Sequence, residues 1–173
     1  MFPNHPIKCK FMKAQQNRLL TWVGIIALVV GMQFAVNRNL VSGEPPAIAG
    51  TTLSGDSFSL AQLHGKPSVI YFWASWCSIC GGMQNTIQNV ATDYPLISLA
   101  MQSGALPEVK QYMAEQKFSV PTLNDENGQI AQAFGVTGVP ALFVLGRDGK
   151  IRYATMGYTT ELGLRLRIWL AGF

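Results

Sequence analysis

Cysteine and histidine are scarce in this chain of 173 residues, which contains three cysteines and two histidines. A structural zinc site needs about four ligands, commonly in two pairs. Beyond residue 38 the chain offers only Cys77, Cys80 and His64, with no second pair. A disulfide-stapled scaffold is not needed either, because a domain of this length can bury an adequate core without staples. The sequence therefore predicts no metal site, and His64 is interpreted as part of a solvated loop.

Charged residues are also few, at 13% of the chain, and they are unevenly distributed. A net charge of +4 would suggest a nucleic-acid partner if it were spread over the surface. Beyond residue 38, however, there are eight basic and nine acidic residues, and no basic patch interleaved with aromatics occurs. Nucleic-acid binding is therefore not supported. The excess positive charge is confined to the N-terminal flank, at Lys8, Lys10, Lys13, Arg18 and Arg38.

An uncharged apolar run from Leu19 to Val36 lies within that flank. As a helix rising about 1.5 Å per residue, the run nearly spans the ~30 Å hydrocarbon core of a bilayer. A buried core helix and a cleavable signal peptide are the alternatives. The run is longer than the about 7–15 apolar residues of a signal peptide, and the nearest Ala-x-Ala, Ala47-Ile48-Ala49, lies well beyond its end. We therefore predict a single uncleaved membrane anchor.

Four positive charges before the run and one after it favour a cytoplasmic N-terminus. The prediction divides the chain into a cytoplasmic basic tail over residues 1–18, a transmembrane anchor over 19–36, a linker over 37–46 and a globular domain over 47–173. The domain is expected on the outer side of that membrane, where disulfides persist. Cys9 remains on the reducing side and is interpreted as a free thiol of the tail.

The other two cysteines, Cys77 and Cys80, are separated by two residues at a point where an apolar strand pattern gives way to a helical one. At a helix start, unpaired backbone N–H groups and the positive end of the helix dipole stabilise a thiolate. The first cysteine is therefore expected to be nucleophilic near neutral pH. The second cysteine, one turn on, can close a disulfide with it. This arrangement describes a reversible two-electron thiol switch.

The surrounding pattern alternates strands and helices, which favours crossover units and a parallel pair of strands. The run Val69–Ala74 is apolar and β-prone, as is typical of a strand covered on both faces. In the last helix, Leu162, Leu166 and Trp169 are expected to form the buried face. The predicted elements are a hairpin over 51–60, strands over 69–74, 96–101, 141–145 and 150–156, and helices over 77–92, 106–117, 129–134 and 160–170.

Two motifs occur in a fixed order along the chain. The first is Phe72-Trp73-Ala74-Ser75-Trp76-Cys77-x-x-Cys80, between a strand and a helix, and the second is Gly138-Val139-Pro140, before a later strand. With the closing hairpin and helix, they resemble the thioredoxin superfamily over residues 47–171. The anchor and early hairpin are most similar to its membrane-tethered branch, which includes cytochrome c maturation thioredoxins, TlpA-like proteins and suppressors of copper sensitivity. The resemblance implies an α/β fold with a central mixed sheet flanked by helices, preceded by one transmembrane helix.

The resemblance also implies roles for individual residues. Cys77 would be the attacking thiolate that forms a mixed disulfide with a partner, and Cys80 the buried thiol that resolves it, so that the pair is a redox-active disulfide. Trp76 would present an apolar face beside the attacking sulfur, with core filling as the alternative. Pro140 would follow a cis peptide bond and bring the backbone of Val139 within reach of an extended substrate segment.

The implied activity is that of a protein disulfide oxidoreductase without an organic cofactor, on the periplasmic side of a bacterial cytoplasmic membrane. Its partners would be extracytoplasmic cysteine-containing proteins and a membrane thiol electron donor, or an oxidant, that resets the pair. A reducing role is favoured, in cytochrome c maturation or in maintaining thiols under copper or oxidative stress. Because two thiolates suit Cu(I), a copper-binding or copper-delivery module without thiol exchange is the alternative. A thiol peroxidase would need a Thr or Ser in a different motif, which is not visible.

Three features depart from the family pattern. Tyr71 and Met83 stand where relatives carry a buried acid, so the group that exchanges a proton with the buried thiol is not identified. The dipeptide Ser78-Ile79 between the cysteines does not fix the direction of electron flow. Gly81-Gly82 follows at once, although each glycine costs a helix interior about 0.8–1.0 kcal/mol relative to alanine. Either the helix start is loosened, or the glycines leave room for a partner's backbone.

Overall fold

The computed structural model describes residues 7–173, without the side chains of residues 7–17, 19 and 34. The first six residues of the predicted basic tail therefore lie outside the described part of the chain. The chain forms two units, the first ending at Arg38 and the second covering Asn39–Phe173.

The first unit is a single helix, α1, over Ile7–Asn37. It starts well before the predicted anchor and includes most of the predicted tail. Its stretch Leu20–Asn37 is long and apolar enough to cross a membrane, and none of that stretch is buried. A buried core helix is thereby removed as an alternative. A signal sequence near the N-terminus can meet the same criterion of length and hydropathy, so the uncleaved anchor stays a prediction.

The second unit is built on a five-stranded mixed sheet with strand order β5-β4-β3-β6-β7. Strands β3, β4 and β5 are parallel neighbours, whereas β6 is antiparallel to both β3 and β7. This sheet and its flanking helices confirm the predicted fold class. The elements are β1 Ala49–Thr51, β2 Ser57–Ser59, a 3₁₀ turn Leu60–Leu63, β3 Ser68–Trp73, α2 Ser78–Ala91, β4 Leu96–Met101, α3 Leu106–Glu115, β5 Thr122–Asp125, α4 Gln129–Ala133, β6 Ala141–Leu145, β7 Ile151–Met156 and α5 Glu161–Ala171.

The central strand β3 is buried along its whole length, because apolar cores cover both faces of the sheet. Successive side chains of a strand point to opposite faces. Val69, Tyr71 and Trp73 accordingly pack in the core that contains the cysteines. Ile70 and Phe72 pack in the other core.

Strand β5 is an element that the sequence pattern did not predict. It is short, and it pairs in parallel with β4, with Ser98 opposite Thr122. The backbone N–H of Leu53, in the turn between β1 and β2, donates to the carbonyl of Thr122 on its outer side. The strand is thus defined by hydrogen bonds to distant segments rather than by an apolar run of its own.

The segment after α1 is packed more closely than a linker. Leu40 is buried, the Val41 N–H donates to the carbonyl of Phe134, and Gly43 pairs with Ile151. The compact unit therefore begins at Asn39, and the predicted boundary at residue 47 falls inside it.

The buried face of α5 also differs from the prediction. Leu162, Leu166 and Trp169 are exposed, whereas Leu164 and Ile168 are fully buried. Both sets follow a helical spacing, so periodicity alone could not choose between them. Packing against the sheet selects the second set, and the other apolar stripe faces outward.

Candidate active site at the start of helix α2

The paired cysteines lie where the central strand β3 gives way to helix α2. The turn after β3 is closed by a hydrogen bond from the Cys77 N–H to the carbonyl of Ala74, at 3.2 Å. Cys77 has an extended backbone and is the N-cap of α2. Because the first N–H groups of a helix have no partner within it, the Cys77 side chain faces free backbone donors.

Cys77 and Cys80 form a disulfide with 5.3 Å between their Cα atoms, as the sequence analysis expected. The backbone N–H of Cys80 donates to the sulfur of Cys77 at 3.1 Å. A thiolate at Cys77 would receive the same hydrogen bond and the positive end of the α2 dipole. The two sulfurs differ in access, since Cys77 is 8% exposed and Cys80 only 1%.

A second segment reaches the cysteines from the loop before β6. The Val139-Pro140 peptide bond is cis, and the Val139 carbonyl oxygen lies 3.6 Å from the Cys77 sulfur. The Pro140 carbonyl accepts a hydrogen bond from the Gly157 N–H at 2.8 Å, which fixes the loop against the end of β7. The structure therefore brings Val139 and Pro140 to the cysteine pair, as the resemblance implied.

Trp76 does not fill the core. Its side chain is 62% exposed, and its indole N–H donates to the Gln102 carbonyl at 3.0 Å. Ile79, between the cysteines, is exposed as well. The cysteine pair is thus accompanied by two exposed apolar side chains.

The loop after β4 braces the cysteine turn, and the sequence analysis missed it. The Ser103 hydroxyl accepts the backbone N–H of Ser75 at 3.0 Å, and Gln102 holds a left-handed backbone with φ of 46° while accepting from Trp76. The parallel arrangement of β3 and β4 could have predicted this contact. Parallel neighbouring strands end at the same edge of a sheet, so polar residues directly after β4 meet the residues after β3.

Beneath the cysteines the core contains uncharged polar groups. Tyr71 is fully buried, and burial, reinforced by Tyr112, raises the pKa of its phenol well above the ordinary value. The side-chain amide of Gln84 donates to the Tyr112 hydroxyl at 3.2 Å. Met83 is buried among apolar side chains. Among the described residues, Asp125 is the one buried carboxylate, and it accepts the N–H groups of the first turn of α4.

Potential metal ligands do not gather near this site. In the described part of the chain, no three side chains of the types His, Cys, Asp and Glu form a cluster. His64 is exposed and lies against Gly149, in the turn between β6 and β7.

The chain matches proteins of known families. The model of the AhpC/TSA family matches residues 41–154. A thioredoxin-like protein of Haemophilus influenzae is 31% identical over 166 residues, covering 95% of this chain and 98% of that protein. The thiol-disulfide oxidoreductase ResA of Bacillus thuringiensis is 26% identical, covering 85% of this chain and 92% of ResA.

A solved structure agrees with these sequence matches. A secreted disulfide oxidoreductase of Mycobacterium tuberculosis, homologous to E. coli DsbE, has a TM-score of 0.62 at 25% identity and covers 71% of this chain and 95% of that one. The chain therefore belongs to the AhpC/TSA family, and it is a thioredoxin-like thiol-disulfide oxidoreductase.

Proposed function

We propose that this protein is a membrane-tethered reductase that acts on disulfides of extracytoplasmic proteins through Cys77 and Cys80. One observation carries the thiol exchange in this proposal: Cys77 is the more exposed sulfur and accepts the backbone N–H of Cys80, whereas Cys80 is shielded. The reducing direction rests on the resemblance to the membrane-tethered branch. A thiol that attacks a partner has to be reachable and favoured as an anion. A thiol that resolves the mixed disulfide has to lie beside it, out of reach of other reactants.

The proposed cycle exchanges two electrons. The Cys77 thiolate attacks one sulfur of the substrate disulfide, a Cys77–substrate S–S bond forms, and the substrate S–S bond breaks to leave one substrate thiolate. Cys80 then loses its proton and attacks the Cys77 sulfur. The Cys77–Cys80 disulfide forms, the mixed disulfide breaks, and the second substrate sulfur leaves as a thiolate. Both substrate thiolates then take up protons. The substrate is reduced and the enzyme is oxidised.

The surfaces beside Cys77 support binding of an extended protein segment. The Val139 carbonyl oxygen lies 3.6 Å from the Cys77 sulfur. The backbone of Val139 would form hydrogen bonds with the bound segment. Trp76, with its exposed ring, would pack against apolar side chains of the segment. Pro140 would hold this backbone in place.

Anchoring by α1 and a periplasmic location are further parts of the proposal. They are supported by the apolar stretch Leu20–Asn37, by the positive charges that precede it, and by the secreted M. tuberculosis relative. In an oxidising compartment a reductase needs a supply of electrons, which we assign to a membrane protein that donates a dithiol. The proposed process is cytochrome c maturation or the maintenance of thiols under copper or oxidative stress.

The test is to trap substrates in cells. In a Cys80→Ser variant the Cys77 mixed disulfide cannot be resolved, so protein adducts should accumulate that a reductant releases. The double variant with Cys77→Ser is the matched control and should capture none. Adducts of proteins with haem-attachment cysteines would assign cytochrome maturation, and adducts of copper-handling proteins would assign copper-stress maintenance. If the single variant captures no more than the double variant, the proposal is wrong.

Two further measurements separate the alternatives. The proposal predicts that the uncleaved protein sediments with membranes, whereas a mature N-terminus beyond residue 38 in a soluble fraction would identify a signal sequence. Tight binding of one Cu(I) by the reduced protein, without exchange against a model disulfide, would favour the copper-binding module.

A further inference from the structure

A buried hydroxyl in the core cluster that contains the cysteine pair has no role in the cycle described so far. Tyr71, in the centre of β3, is fully buried, and its hydroxyl has no hydrogen-bond partner among the described residues. Buried polar groups are paired in most proteins, since an unpaired one costs free energy. An unpaired hydroxyl in the oxidised protein is therefore a feature that needs a physical reason.

The position of Tyr71 places it on the cysteine side of the sheet. It shares the core cluster with Cys77, Cys80 and Met83, because odd-numbered residues of β3 point toward α2. The Phe72 side chain points the other way and packs with Phe134.

The polar neighbours of Tyr71 belong to the same region. Tyr112, on α3, acts on the phenol electrostatically and accepts a hydrogen bond from Gln84. Gln84 lies four residues after Cys80, on the same face of α2 and one turn further along. The polar groups therefore follow the inner side of the helix that carries the buried cysteine.

Among the described residues, the one buried charged side chain is Asp125, and its carboxylate accepts the N–H groups of Ile130 and Ala131 in α4. The titratable members of the core cluster around the cysteines are the two cysteines, Tyr71 and the partly buried Tyr94, Tyr112 and Tyr153. On the neighbouring surface, Arg165 of α5 forms ion pairs with Glu161 of the same helix and with Asp93, which follows α2. A negative charge that forms at Cys80 thus depends on neutral hydrogen-bond donors.

We propose that Tyr71 donates a hydrogen bond to the Cys80 sulfur when the disulfide is reduced, and so favours the thiolate that resolves the mixed disulfide. In the oxidised protein the Cys80 sulfur is bonded to Cys77, uncharged and a weak acceptor, which leaves the hydroxyl without a partner. Once Cys80 has lost its proton, its sulfur becomes a strong acceptor. Tyr71 keeps its own proton throughout, because burial makes its phenolate unfavourable. This inference rests on the proposed function.

The test follows the pH dependence of resolution. The full-length reduced protein in detergent is mixed with oxidised glutathione, and release of the second glutathione, which requires attack by Cys80, is measured from pH 5 to 10. Loss of a hydrogen bond to a charged group moves a titration midpoint by about one pH unit or more. Tyr71→Phe should therefore raise the midpoint by about one unit and slow release at pH 7 about tenfold, with the high-pH plateau nearly unchanged.

Tyr94→Phe is the matched control, since it removes a hydroxyl from the edge of the same cluster, and its midpoint should equal that of the wild type. The oxidised Tyr71→Phe protein should be no less stable to heat than the wild type, because the hydroxyl is unpaired in that state. An unchanged midpoint in Tyr71→Phe would overturn the inference, as would a large loss of stability in its oxidised form. If the wild type itself releases no second glutathione, the proposed function fails instead.

Discussion

The carbonyl oxygen of Val139 and the sulfur of Cys77 lie 3.6 Å apart, although 62 positions separate the two residues in the chain. The contact joins the loop before β6 to the N-cap of α2. One side of the Cys77 sulfur is thereby occupied by backbone, and the Cys80 N–H contacts the same sulfur. Cys77 is only 8% exposed, and the proposed function has a partner approach along the surface that carries Trp76.

Selective modification should reveal the unequal access of the two sulfurs. After reduction, a limiting amount of iodoacetamide is expected to label Cys77 first, because it is more exposed and has a helix N-terminus to stabilise its thiolate. Peptide mass spectrometry gives the ratio of labelled Cys77 to labelled Cys80, which we expect to exceed about ten. Equal labelling of the two thiols would contradict the assigned roles.

Replacing Trp76 should affect protein substrates more than stability. The ring is mostly exposed, so Trp76→Ala should change the free energy of unfolding by less than about 0.5 kcal/mol. Loss of its apolar contact should raise KM for a protein disulfide about tenfold, equivalent to about 1.4 kcal/mol. Trp76→Phe keeps an apolar face, so its KM for the protein disulfide should rise less than that of Trp76→Ala. An equal loss of activity against oxidised glutathione would show that Trp76 orders the cysteine turn instead of binding substrate.

The sequence predicted the elements whose signals are local. Strand β3 has a continuous apolar run, and α2 begins at a cysteine followed by helical periodicity, so both the central strand and the cysteine site were found. Strand β5 and the brace at Ser103 were missed, because each depends on hydrogen bonds to segments distant in sequence. The buried face of α5 was assigned wrongly, since two apolar stripes compete and only the sheet decides between them.

Replacing Gly82, the second of the two glycines after Cys80, tests what these glycines do in helix α2. A Cβ at Gly82 would meet no atom within 4 Å. Gly82→Ala should therefore raise the free energy of unfolding by about 0.8–1.0 kcal/mol, measured by denaturant titration. At Gly163 in α5 a Cβ would lie 3.1 Å from the Thr160 hydroxyl. Gly163→Ala should therefore raise the free energy of unfolding by less than Gly82→Ala does.

The same Gly82→Ala variant separates the two explanations for the glycines. If they leave room for a partner's backbone, KM for protein disulfides rises while exchange with oxidised glutathione is unchanged. If the helix start is loosened, the gain in stability is smaller than expected and KM does not move.

Ser98 and Ser68 are both buried, but only Ser98 has hydrogen-bond partners among the described residues, so replacement by alanine should change the free energy of unfolding differently at the two sites. Ser98 accepts the Trp73 indole N–H at 3.1 Å and bonds to Thr122 at 2.7 Å, whereas the Ser68 hydroxyl has no partner in the described residues. Ser98→Ala leaves a buried N–H unpaired and should lower the free energy of unfolding by about 1–3 kcal/mol. Ser68→Ala should leave it unchanged or raise it. Equal losses would mean that strand packing, not hydrogen bonding, dominates at both sites.

The contact between α5 and α2 should weaken in acid. Hydrogen bonds from Asn89 and then Arg165 hold the pKa of Glu161 below its ordinary value of 4.5. A carboxyl whose pKa is depressed on folding contributes stability that is complete above its unfolded pKa and is lost as the pH falls through the folded one. The wild type should therefore exceed Glu161→Gln in unfolding free energy at pH 6–7, and the difference should shrink below about pH 4.5.

The size of this effect and its cause can be checked in the same titration. Because the Glu161 side chain is partly exposed to solvent, the difference should be small and should fall further in high salt. Asn89→Ala and Arg165→Ala each remove a hydrogen bond that lowers the pKa of Glu161, so each should flatten the pH dependence. A difference between wild type and Glu161→Gln that grows as the pH falls would contradict the direction of the shift, since a protonated Glu161 can no longer act as a charged partner.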